Sequence, residues 1–427
     1  MRVLMFGWEF PPHISGGLGT ASHGLTRGLK SIGDVEILFV VPKAYGDEDQ
    51  SSLKLIDAGE IIVSERVVDY KGFFKNISFI EVGSQLVPYT SPEEYETLVN
   101  QSRKKQKTLI NTLFSGKLTF SGGYGSNLFQ EIANYSAIAS IIGVNFDFDV
   151  IHAHDWLTYP AGIAAKFVSG KPLVIHVHAT DFDRSGGSVN PSVFEIEKRG
   201  MEMADKIITV SNLTRNIVIE KYGINPEKVI TVYNAVEPVV KRKRDKFKGG
   251  ISDKIVTFLG RVTLQKGPDY FIEAAYHVLR KMNNVRFVMA GSGDMLNRMI
   301  ARTAALRIGD KFHFTGFLKG DDVYSMFDLS DVYVMPSISE PFGISPLEAL
   351  QSNVPVIISR QSGVSEVLKH AIKVDFWDIH ATADAIYGIL NYEGLPKMFS
   401  KYAKVEVDSF KWENTAYKVK EIYQSVL

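Results

Sequence analysis

The sequence contains no cysteine, and this absence excludes disulfide bonds and thiolate metal sites. Neither sign of charge is in excess, because 48 Lys and Arg residues balance 48 Asp and Glu residues. A chain without net positive charge gives no indication of a nucleic acid partner. No apolar run approaches the roughly 18 residues of a transmembrane helix, and residues 1–7 lack the apolar core of a signal peptide. We therefore expect no transmembrane segment and a cytoplasmic location.

The remaining composition is that of a large globular protein, with 45% hydrophobic and 22% charged residues. At 427 residues the chain exceeds what one hydrophobic core usually organises, so we predict two domains, residues 1–238 and 250–408. The basic run Lys241–Lys246 lies between them. We interpret it as a solvated linker, because blocks of like charge usually stay exposed. A patch for a polyanion is the alternative.

Alternation of apolar segments and helical patterns predicts an α/β fold. The apolar strand Val3–Phe6 leads into a glycine-rich turn, a helix that ends near Ser31, and a second strand, Val35–Val41. This order is the opening unit of a doubly wound parallel sheet. Eight further strands are predicted along the two halves: Val150–His154, Leu173–Val177, Lys206–Val210, Ile255–Leu259, Arg286–Ala290, Lys311–Thr315, Asp331–Met335 and Val354–Ile358.

Residues 45–135 fit this alternation poorly. They contain two β-like runs, Ile61–Val68 and Ile77–Val82, a polar helix candidate, Glu93–Leu113, and the glycine-rich loop Ser121–Gly125. We interpret this region as an elaboration of the first sheet that faces an acceptor. The last predicted helix, from Lys411 to Tyr423, has apolar residues at helical spacing and needs a surface to cover.

The most informative segment, residues 337–350, reads Ser-Ile-Ser-Glu-Pro-Phe-Gly-Ile-Ser-Pro-Leu-Glu-Ala-Leu and follows the predicted strand Asp331–Met335. Ser345 suits a helix N-cap, with Glu348 three residues later completing a capping box. The N–H groups of Gly343 and Ile344 would then point with the helix dipole at an anion such as a phosphate. In the alternative interpretation, Glu348 only caps the helix and Glu340 is a solvated loop carboxylate.

Two further glycine-bounded loops carry candidate phosphate ligands. Gly260–Gly267 contains Arg261 and Lys266, two cations that can neutralise the charge on a departing diphosphate. Alternatively, both side chains face solvent. Gly16–Gly19 lets backbone N–H groups approach a pyrophosphate closely, although its spacing matches neither the dinucleotide fingerprint nor the P-loop. A purely structural turn explains Gly16–Gly19 equally well.

Histidines end two of the predicted strands. His152 and His154 lie on one face of a strand, which raises a metal possibility, but no third ligand is evident nearby in the sequence. We therefore predict no metal site. His178 follows the next strand, where a hydrogen-bonded histidine that ends a strand is the alternative. Asp181 and Asp183 form an Asp-x-Asp that we do not interpret as metal ligands.

These segments together resemble the retaining glycosyltransferases with two Rossmann-like domains, the GT-B enzymes of glycosyltransferase families 4 and 5, which include glycogen and starch synthases. The resemblance extends in order from Gly16 to Trp412. It implies two doubly wound parallel-sheet domains that face each other across a cleft. It also implies that the last helix, residues 409–427, returns to the N-terminal domain, and that residues 250–408 bind a nucleotide-sugar donor.

The resemblance also implies roles for individual residues. Those expected to bind the donor are Gly16, Gly17, Leu18, Arg261, Lys266, Gly316, Gly343, Ile344 and Glu348. Those expected to act in catalysis are His178, Arg261, Lys266 and Glu340. Those expected to line the acceptor side are His154, Asp155 and Trp156. Within these sets, Glu348 would hold the ribose, Glu340 the sugar hydroxyls, and Arg261 with Lys266 the leaving diphosphate.

The activity that follows from the resemblance is that of a hexosyltransferase. It would transfer glucose from ADP- or UDP-glucose to an α-glucan such as glycogen, with retention and without a metal or other cofactor. Ile14 stands where the ADP-glucose enzymes usually have lysine, which leaves the nucleotide open. The alternatives are synthesis of surface polysaccharide, lipid-linked sugar, or sucrose- or trehalose-type products. A phosphorylase-like enzyme or a non-catalytic carbohydrate-binding protein fits less well.

Overall fold

The computed structural model describes residues 1–14, 16–63, 116–125, 127–238 and 252–427. The described strands of the first half are β1 (Arg2–Phe6), β2 (Glu36–Val41), β3 (Lys54–Asp57), β4 (Ile62–Val63), β5 (Gly116–Lys117), β6 (Val150–His154), β7 (Leu173–Val177), β8 (Lys206–Thr209) and β9 (Val229–Thr231). Its described helices are α1 (Gly17–Ser31), α2 (Leu128–Asn145), α3 (Tyr159–Ser169), α4 (Asp181–Ser185), α5 (Pro191–Met203) and α6 (Asn212–Tyr222).

The described strands of the second half are β10 (Lys254–Leu259), β11 (Val285–Ala290), β12 (Phe312–Gly316), β13 (Val332–Met335), β14 (Val356–Ser359) and β15 (Ile372–Val374). Its helices are α7 (Pro268–Leu279), α8 (Leu296–Ala305), α9 (Asp321–Leu329), α10 (Ser345–Gln351), α11 (Val364–Val367), α12 (Ile379–Asn391), α13 (Gly394–Val407) and α14 (Trp412–Gln424). Single 3₁₀ turns lie at Ala58–Glu60, Pro226–Lys228, Leu264–Lys266 and Gly309–Lys311.

Thirteen of the fifteen described strands form two parallel sheets, which confirms the predicted α/β class. The first sheet has the order β3-β2-β1-β6-β7-β8-β9, and the second has the order β12-β11-β10-β13-β14-β15. In each sheet the order reverses beside the first strand, between β1 and β6 and between β10 and β13. Open α/β sheets bind ligands at the carboxyl ends of the strands at such a reversal. Every predicted glycine-rich loop of interest, at Gly16, Gly260 and Gly343, follows one of these strands or leads from it into a helix.

The strands are apolar along their length because helices cover both faces of each sheet. In the first sheet, Leu4 and Phe6 face a core that includes α2 and α3, whereas Val3 and Met5 face a second core on the side of α1. Side chains of a strand alternate between its two faces, so a strand buried on both sides has no face exposed to water, although β6 and β7 carry buried histidines. The predicted strands Val150–His154 and Leu173–Val177 coincide with β6 and β7.

The last helix returns to the first sheet, as predicted. Trp412 begins α14 and is 5% exposed, and its indole packs against Gly24 of α1. A Cβ atom at Gly24 would lie 2.1 Å from Trp412 Cε2, and one at Gly28 would lie 2.5 Å from the Trp412 carbonyl oxygen. The two glycines therefore allow α1 and α14 to approach each other closely. Tyr423, near the end of α14, is fully buried against the same sheet.

The two halves also touch through a carboxylate. Glu366 of α11 accepts hydrogen bonds from the backbone N–H groups of Asn212 (2.9 Å) and Leu213 (2.7 Å), at the start of α6. The Tyr233 hydroxyl donates to the same carboxylate at 2.9 Å. Glu366 thus supplies a negative charge to the N-terminus of a helix in the other half.

Several predictions fall on other parts of the chain. The predicted run Ile61–Val68 contains the short strand β4, which pairs antiparallel with β5, and its last five residues lie outside the described residues. The predicted strand Ile77–Val82, the helix candidate Glu93–Leu113 and the basic run 241–246 also lie outside them. Within the described part of the chain, no helix has both the length and the apolar character that crossing a membrane requires.

Candidate functional site

The turn after β13 is shaped by Gly343, whose φ of +98° lies in the region that L side chains rarely adopt. The next residue, Ile344, already has helical angles (φ −76°, ψ −37°) and is the N-cap of α10. Its carbonyl accepts from Leu347 N–H (2.8 Å) and Glu348 N–H (3.2 Å). The predicted Ser345–Glu348 capping box is therefore wrong, because the glycine turn starts the helix one residue early. Ser345 makes no cap hydrogen bond.

Glu340 is buried and paired, not solvated. It is 6% exposed, and its Oε2 accepts a hydrogen bond from Lys266 Nζ and another from Ser337 Oγ at 3.2 Å. Its backbone is fixed as well, since Glu340 N–H donates to Gln361 and its carbonyl accepts from Gly363 N–H, both at 2.9 Å. The loop after β10 and the loop after β13 are joined through this ion pair.

Arg261 belongs to the same cluster. Its Nη2 donates to Gln265 Oε1 at 3.1 Å, and Gln265 Nε2 donates to the Ser339 carbonyl at 3.1 Å. Gln265 is 3% exposed, so it fixes the cationic loop against the loop after β13. A Cβ at Gly291 would lie 1.8 Å from the Gly260 carbonyl oxygen, so glycine is needed for the loops after β10 and β11 to lie so close.

Glu348 is the acidic residue in the first turn of α10, the helix that follows the loop after β13. It is half-buried, and burial raises the pKa of its carboxyl to about 7. Its ordinary pKa is near 4.5, so the surroundings do not supply enough favourable contacts to offset the loss of water. A ligand that donates hydrogen bonds to this carboxylate would supply them.

Gly316 ends β12 with φ +73° and forms an isolated bridge with Gly291. The next residue, Phe317, is 46% exposed. The structure therefore brings the ends of β10, β11, β12 and β13 to one edge of the second sheet, as parallel strands must. Gly316 is the last residue of β12, and the other predicted donor-side residues lie on the loops or the helix that follow these strands: Arg261, Lys266, Glu340, Gly343, Ile344 and Glu348.

At the first sheet, the glycine turn is held by an acidic residue that the sequence did not reveal. Glu9, just after β1 and 8% exposed, accepts hydrogen bonds from Gly19 N–H and from the Tyr124 hydroxyl, each at 3.2 Å. Gly16 is extended (φ −179°) and precedes α1, whereas Gly17 has open space around its Cα. Leu18 is 9% exposed. Trp8 and Glu9 directly follow the first strand, and an acidic residue at that place in the sequence was the feature that could have indicated this contact.

Asp155 organises the loop that carries His178. It has φ +61°, is 3% exposed, and its Oδ1 accepts from His178 N–H (2.8 Å) and Ala179 N–H (3.2 Å). Burial raises the pKa of Asp155 to about 6, against the opposing effects of Arg184 and these two amides. Asp155 therefore fixes the backbone at His178.

The other residues predicted to line the acceptor side are also buried in this structure. His154 is fully buried and its Nδ1 lies 3.0 Å from His178 Nε2. Trp156 is 5% exposed and packs against Phe129, with ring centroids 6.1 Å apart. Burial and the nearby His152 lower the pKa of His178 to about 3, so His178 is neutral at pH 7. These residues support one another, and an acceptor role for them stays a prediction.

The His178 loop reaches the donor-side cluster of the second half. Ser339 Oγ donates to Asp183 Oδ1 at 2.5 Å, and Asp183 Oδ2 accepts from both the N–H and the hydroxyl of Thr180 at 2.8 Å. Asp183 thus caps α4 and contacts the neighbour of Glu340. Sequence reasoning missed Ser339, Asp183 and Gln265 as partners, because they are separated by 74 to 156 positions along the chain.

Two sheets whose strand ends meet across a cleft in this way define the GT-B class of glycosyltransferases. Residues 241–406 match the family described as "Glycosyl transferases group 1", and residues 116–239 match "Glycosyltransferase Family 4". The chain is similar in structure to a sucrose-phosphate synthase from Thermosynechococcus elongatus, with a TM-score of 0.72, 16% identity, and coverage of 100% of this chain and 98% of that one. At that identity, the likeness shows the fold.

Sequence relatives cover nearly the whole chain. It is 27% identical to an uncharacterized glycosyltransferase of Methanocaldococcus jannaschii, over 99% of this chain and 98% of the relative. It is 22% identical to a glycogen synthase of Mycobacterium tuberculosis, over 99% of this chain and 94% of the relative. The chain belongs to the GT-B glycosyltransferases, with a family 4 region followed by a group 1 region.

Proposed function

We propose that this glycosyltransferase transfers glucose from ADP- or UDP-glucose to an α-glucan such as glycogen, with retention of anomeric configuration. The observation that carries the proposal is the Lys266–Glu340 ion pair, which joins the loops after β10 and β13 beside Arg261. A nucleotide sugar has an anionic diphosphate next to a neutral hexose. This cluster offers cations for the diphosphate and a carboxylate for the hydroxyl groups of the hexose.

The residues would divide the donor between them. Arg261 and Lys266 would take the diphosphate, whose negative charge grows as the bond to the sugar breaks. Glu340 would accept hydrogen bonds from the sugar hydroxyls and orient the ring as positive charge develops at its anomeric carbon. The Glu348 carboxylate, short of partners in the structure, would accept hydrogen bonds from the two ribose hydroxyls.

The N-terminal half would complete the site. Gly16, Gly17 and Leu18 would lie under the diphosphate, with Gly343, Ile344 and Gly316 contributing backbone contacts from the other half. His178 would meet the sugar near its 6-hydroxyl, and the acceptor would enter on the side of His154, Asp155 and Trp156. No carboxylate is placed as an obvious nucleophile among the described site residues, so attack on the same face as the leaving group fits best.

Transfer without a metal ion is part of the proposal, because Arg261 and Lys266 take the place that a divalent ion fills in other phosphate chemistry. The roles of residues 1–238 with 409–427 as the acceptor domain and 250–408 as the donor domain are proposed with it, and a cytoplasmic location stays a prediction. Support for glucan as the acceptor comes from the glycogen synthase relative. The same fold serves a sucrose-phosphate synthase, so that product class is the second candidate.

A donor panel tests the proposal. ADP-glucose and UDP-glucose are each supplied with maltooligosaccharides, glycogen and fructose 6-phosphate, and NMR of the first product reports its anomeric configuration. We expect an α-linked glucan and a rate that brief exposure to EDTA and added Mg²⁺ or Mn²⁺ leave unchanged. A product formed only on fructose 6-phosphate would shift the assignment to the second candidate. An inverted product, or a rate restored only by Mg²⁺ or Mn²⁺, would contradict the proposed mechanism.

A further inference from the structure

Four histidines form a compact block on one face of the first sheet. His152 and His154 are two residues apart on β6, and His176 and His178 lie two residues apart on and just after β7. His154 is paired in register with His176. Ring centroids are 4.2 Å apart between His152 and His154 and 5.4 Å apart between His152 and His176. The first three rings are no more than 1% exposed.

The hydrogen bonds of these rings leave one set of nitrogen atoms without partners. His152 Nδ1 lies 2.6 Å from the Tyr423 hydroxyl, and His154 Nδ1 lies 3.0 Å from His178 Nε2. Among the residues that the structure describes, His152 Nε2, His154 Nε2, both ring nitrogens of His176 and His178 Nδ1 have no hydrogen-bond partner. Buried polar atoms normally have one, because leaving them without a partner costs free energy.

Three of these four histidines have the chemistry of a metal site. The candidate nitrogen atoms of His152, His154 and His176 all lie within 4.8 Å of one another. Bonds of about 2.0–2.1 Å to a tetrahedral ion need nitrogens about 3.4 Å apart, which moderate rotations of these side chains can reach. Burial, with smaller effects from the neighbouring rings, lowers the pKa of each imidazole well below its ordinary value. All three are therefore neutral at pH 7, the form that binds a metal.

The surroundings of the three rings also suit a metal. A ligating histidine usually donates its other ring N–H to a neighbour, which fixes the ring and its tautomer. The Tyr423 hydroxyl can accept from His152 Nδ1–H, and His178 Nε2 can accept from His154 Nδ1–H. Both contacts leave Nε2 unprotonated and available. The His-x-His pair lacked a third ligand in the sequence, and the register of β6 and β7 supplies it in His176.

We propose that His152, His154 and His176 bind one transition-metal dication of the zinc class. Imidazole nitrogen suits Zn²⁺, Co²⁺, Ni²⁺ and Cu²⁺, whereas Mg²⁺ and Ca²⁺ prefer oxygen ligands. None of the three residues is among those that we assign to the diphosphate, so the ion has a structural role. It does not take part in the transfer reaction, which we still propose to be metal-independent. The ion joins β6 to β7 and, through the His154–His178 contact, orients the histidine at the sugar site.

Metal content of the whole protein is the first test. Protein stripped of metal with dipicolinate is loaded with Co²⁺ or Zn²⁺ and passed over a desalting column. Elemental mass spectrometry then measures the metal retained per chain. We expect one equivalent per chain and a raised Tm for the loaded form. X-ray absorption of the zinc form should show nitrogen at about 2.0–2.1 Å with scattering from three imidazole rings. Less than a tenth of an equivalent retained, or a shell of oxygen alone, overturns the proposal without any variant.

Variants then locate the site. His176→Gln keeps a polar side chain of similar size and should lower retained Co²⁺ at least tenfold, and His152→Gln should do the same. The matched control is His13→Ala, because His13, Asp47 and Glu48 form the other group in the described chain with potential ligand atoms close together. Circular dichroism checks that each variant is folded. Loss of the ion in His13→Ala with full retention in His176→Gln would refute the assignment.

Discussion

The carboxyl ends of the two sheets carry polar residues of different kinds, although each sheet leads into glycine-rich turns. At the first sheet, Asp155, His152, His154 and His176 are buried, Asp155 accepts from backbone N–H groups, and His154 contacts His178. At the second sheet, Glu348 lacks compensating contacts and the Lys266–Glu340 pair stands beside Arg261. Asp155 at the first sheet supports a loop, whereas the cations at the second sheet are suited to receive an anionic ligand.

This difference teaches that burial alone does not identify a binding residue. Glu340 and Asp155 are both buried, yet Glu340 is paired with the side chains of Lys266 and Ser337, whereas Asp155 accepts from two backbone amides of a loop. Changes at the second sheet should alter kinetics first. Changes at the first sheet should alter stability first.

The largest expected effect is on turnover. Arg261→Ala and Lys266→Ala should each lower kcat by about 10²-fold or more, because each removes charge needed most in the transition state. Lys266→Ala also leaves the buried Glu340 charge without its partner, which destabilises the fold. Adding Glu340→Gln to Lys266→Ala should restore Tm without restoring kcat. Steady-state kinetics and thermal unfolding, with the exposed Lys281→Ala as control, measure both. Recovery of turnover in the double variant would contradict the catalytic role that we assign to Lys266.

Asp155→Ala tests the first sheet. It leaves the N–H groups of His178 and Ala179 without their acceptor, which should cost about 1–3 kcal/mol in the free energy of unfolding. Asp155→Asn is the matched control, because asparagine keeps an acceptor oxygen and tolerates the positive φ. Urea unfolding should show a large loss for alanine and a small one for asparagine. Equal losses in the two variants would mean that the carboxylate charge, not the hydrogen bonds, is what matters.

Glu348 should make donor binding depend on pH. Its pKa of about 7 is above the ordinary 4.5, so its contribution to stability is full below about pH 4.5 and is lost as pH rises through 7. Ribose hydroxyls need the ionised form, so KM for the donor should rise by up to about tenfold per pH unit below 7. Glu348→Gln should raise KM at pH 8 and flatten this profile, whereas Glu273→Gln should not.

The Glu348→Gln variant also tests the corrected start of α10. A capping box would have made removal of Glu348 cost about 1 kcal/mol. Because Ile344 is the N-cap and Ser345 makes no cap bond, we expect Glu348→Gln to maintain or raise the free energy of unfolding at pH 8. A loss near 1 kcal/mol in urea titrations would restore the capping interpretation.

The smallest expected effect concerns the contact between the two regions. Ser339→Ala removes the hydrogen bond from Ser339 Oγ to Asp183, worth about 0.5–1.5 kcal/mol. Since it joins the halves, its loss should disfavour the closed form and raise donor KM a few-fold, with kcat at saturation little changed. Ser325→Ala, on the exposed helix α9, is the control. A fall in kcat without a change in KM would place Ser339 in the chemistry instead.

The fold was predictable because both sheets are parallel and buried, so each strand is a short apolar run between glycine turns and helices. Segments β6 and β7 were predicted residue for residue. The donor-side loops were predictable because glycine, cations and acidic residues stand close together in sequence. The N-cap of α10 could not be predicted, because the left-handed turn at Gly343 moves the start of the helix by one residue. Serine is compatible with the N-cap position and with the first helical position alike.

Contacts between distant segments could not be predicted from the sequence, for a different reason. The Ser339–Asp183 bond and the position of His176 beside His152 and His154 depend on how strands are ordered and aligned. Patterns within one strand carry no information on that register. The bond from Gly19 to Glu9 also depends on a turn whose path the residue types do not specify.

The position of α14 against α1 has a consequence for biosynthesis. Residues 412–424 follow the whole second sheet in the chain, yet Trp412, Ala416 and Val419 fill the apolar surface of α1 beside Gly24 and Gly28. Domains generally fold in order as they leave the ribosome. Here the first half emerges with part of its core uncovered, and that surface stays exposed to water until residues 412–424 have been translated. Chaperone binding to nascent chains should therefore persist past residue 400.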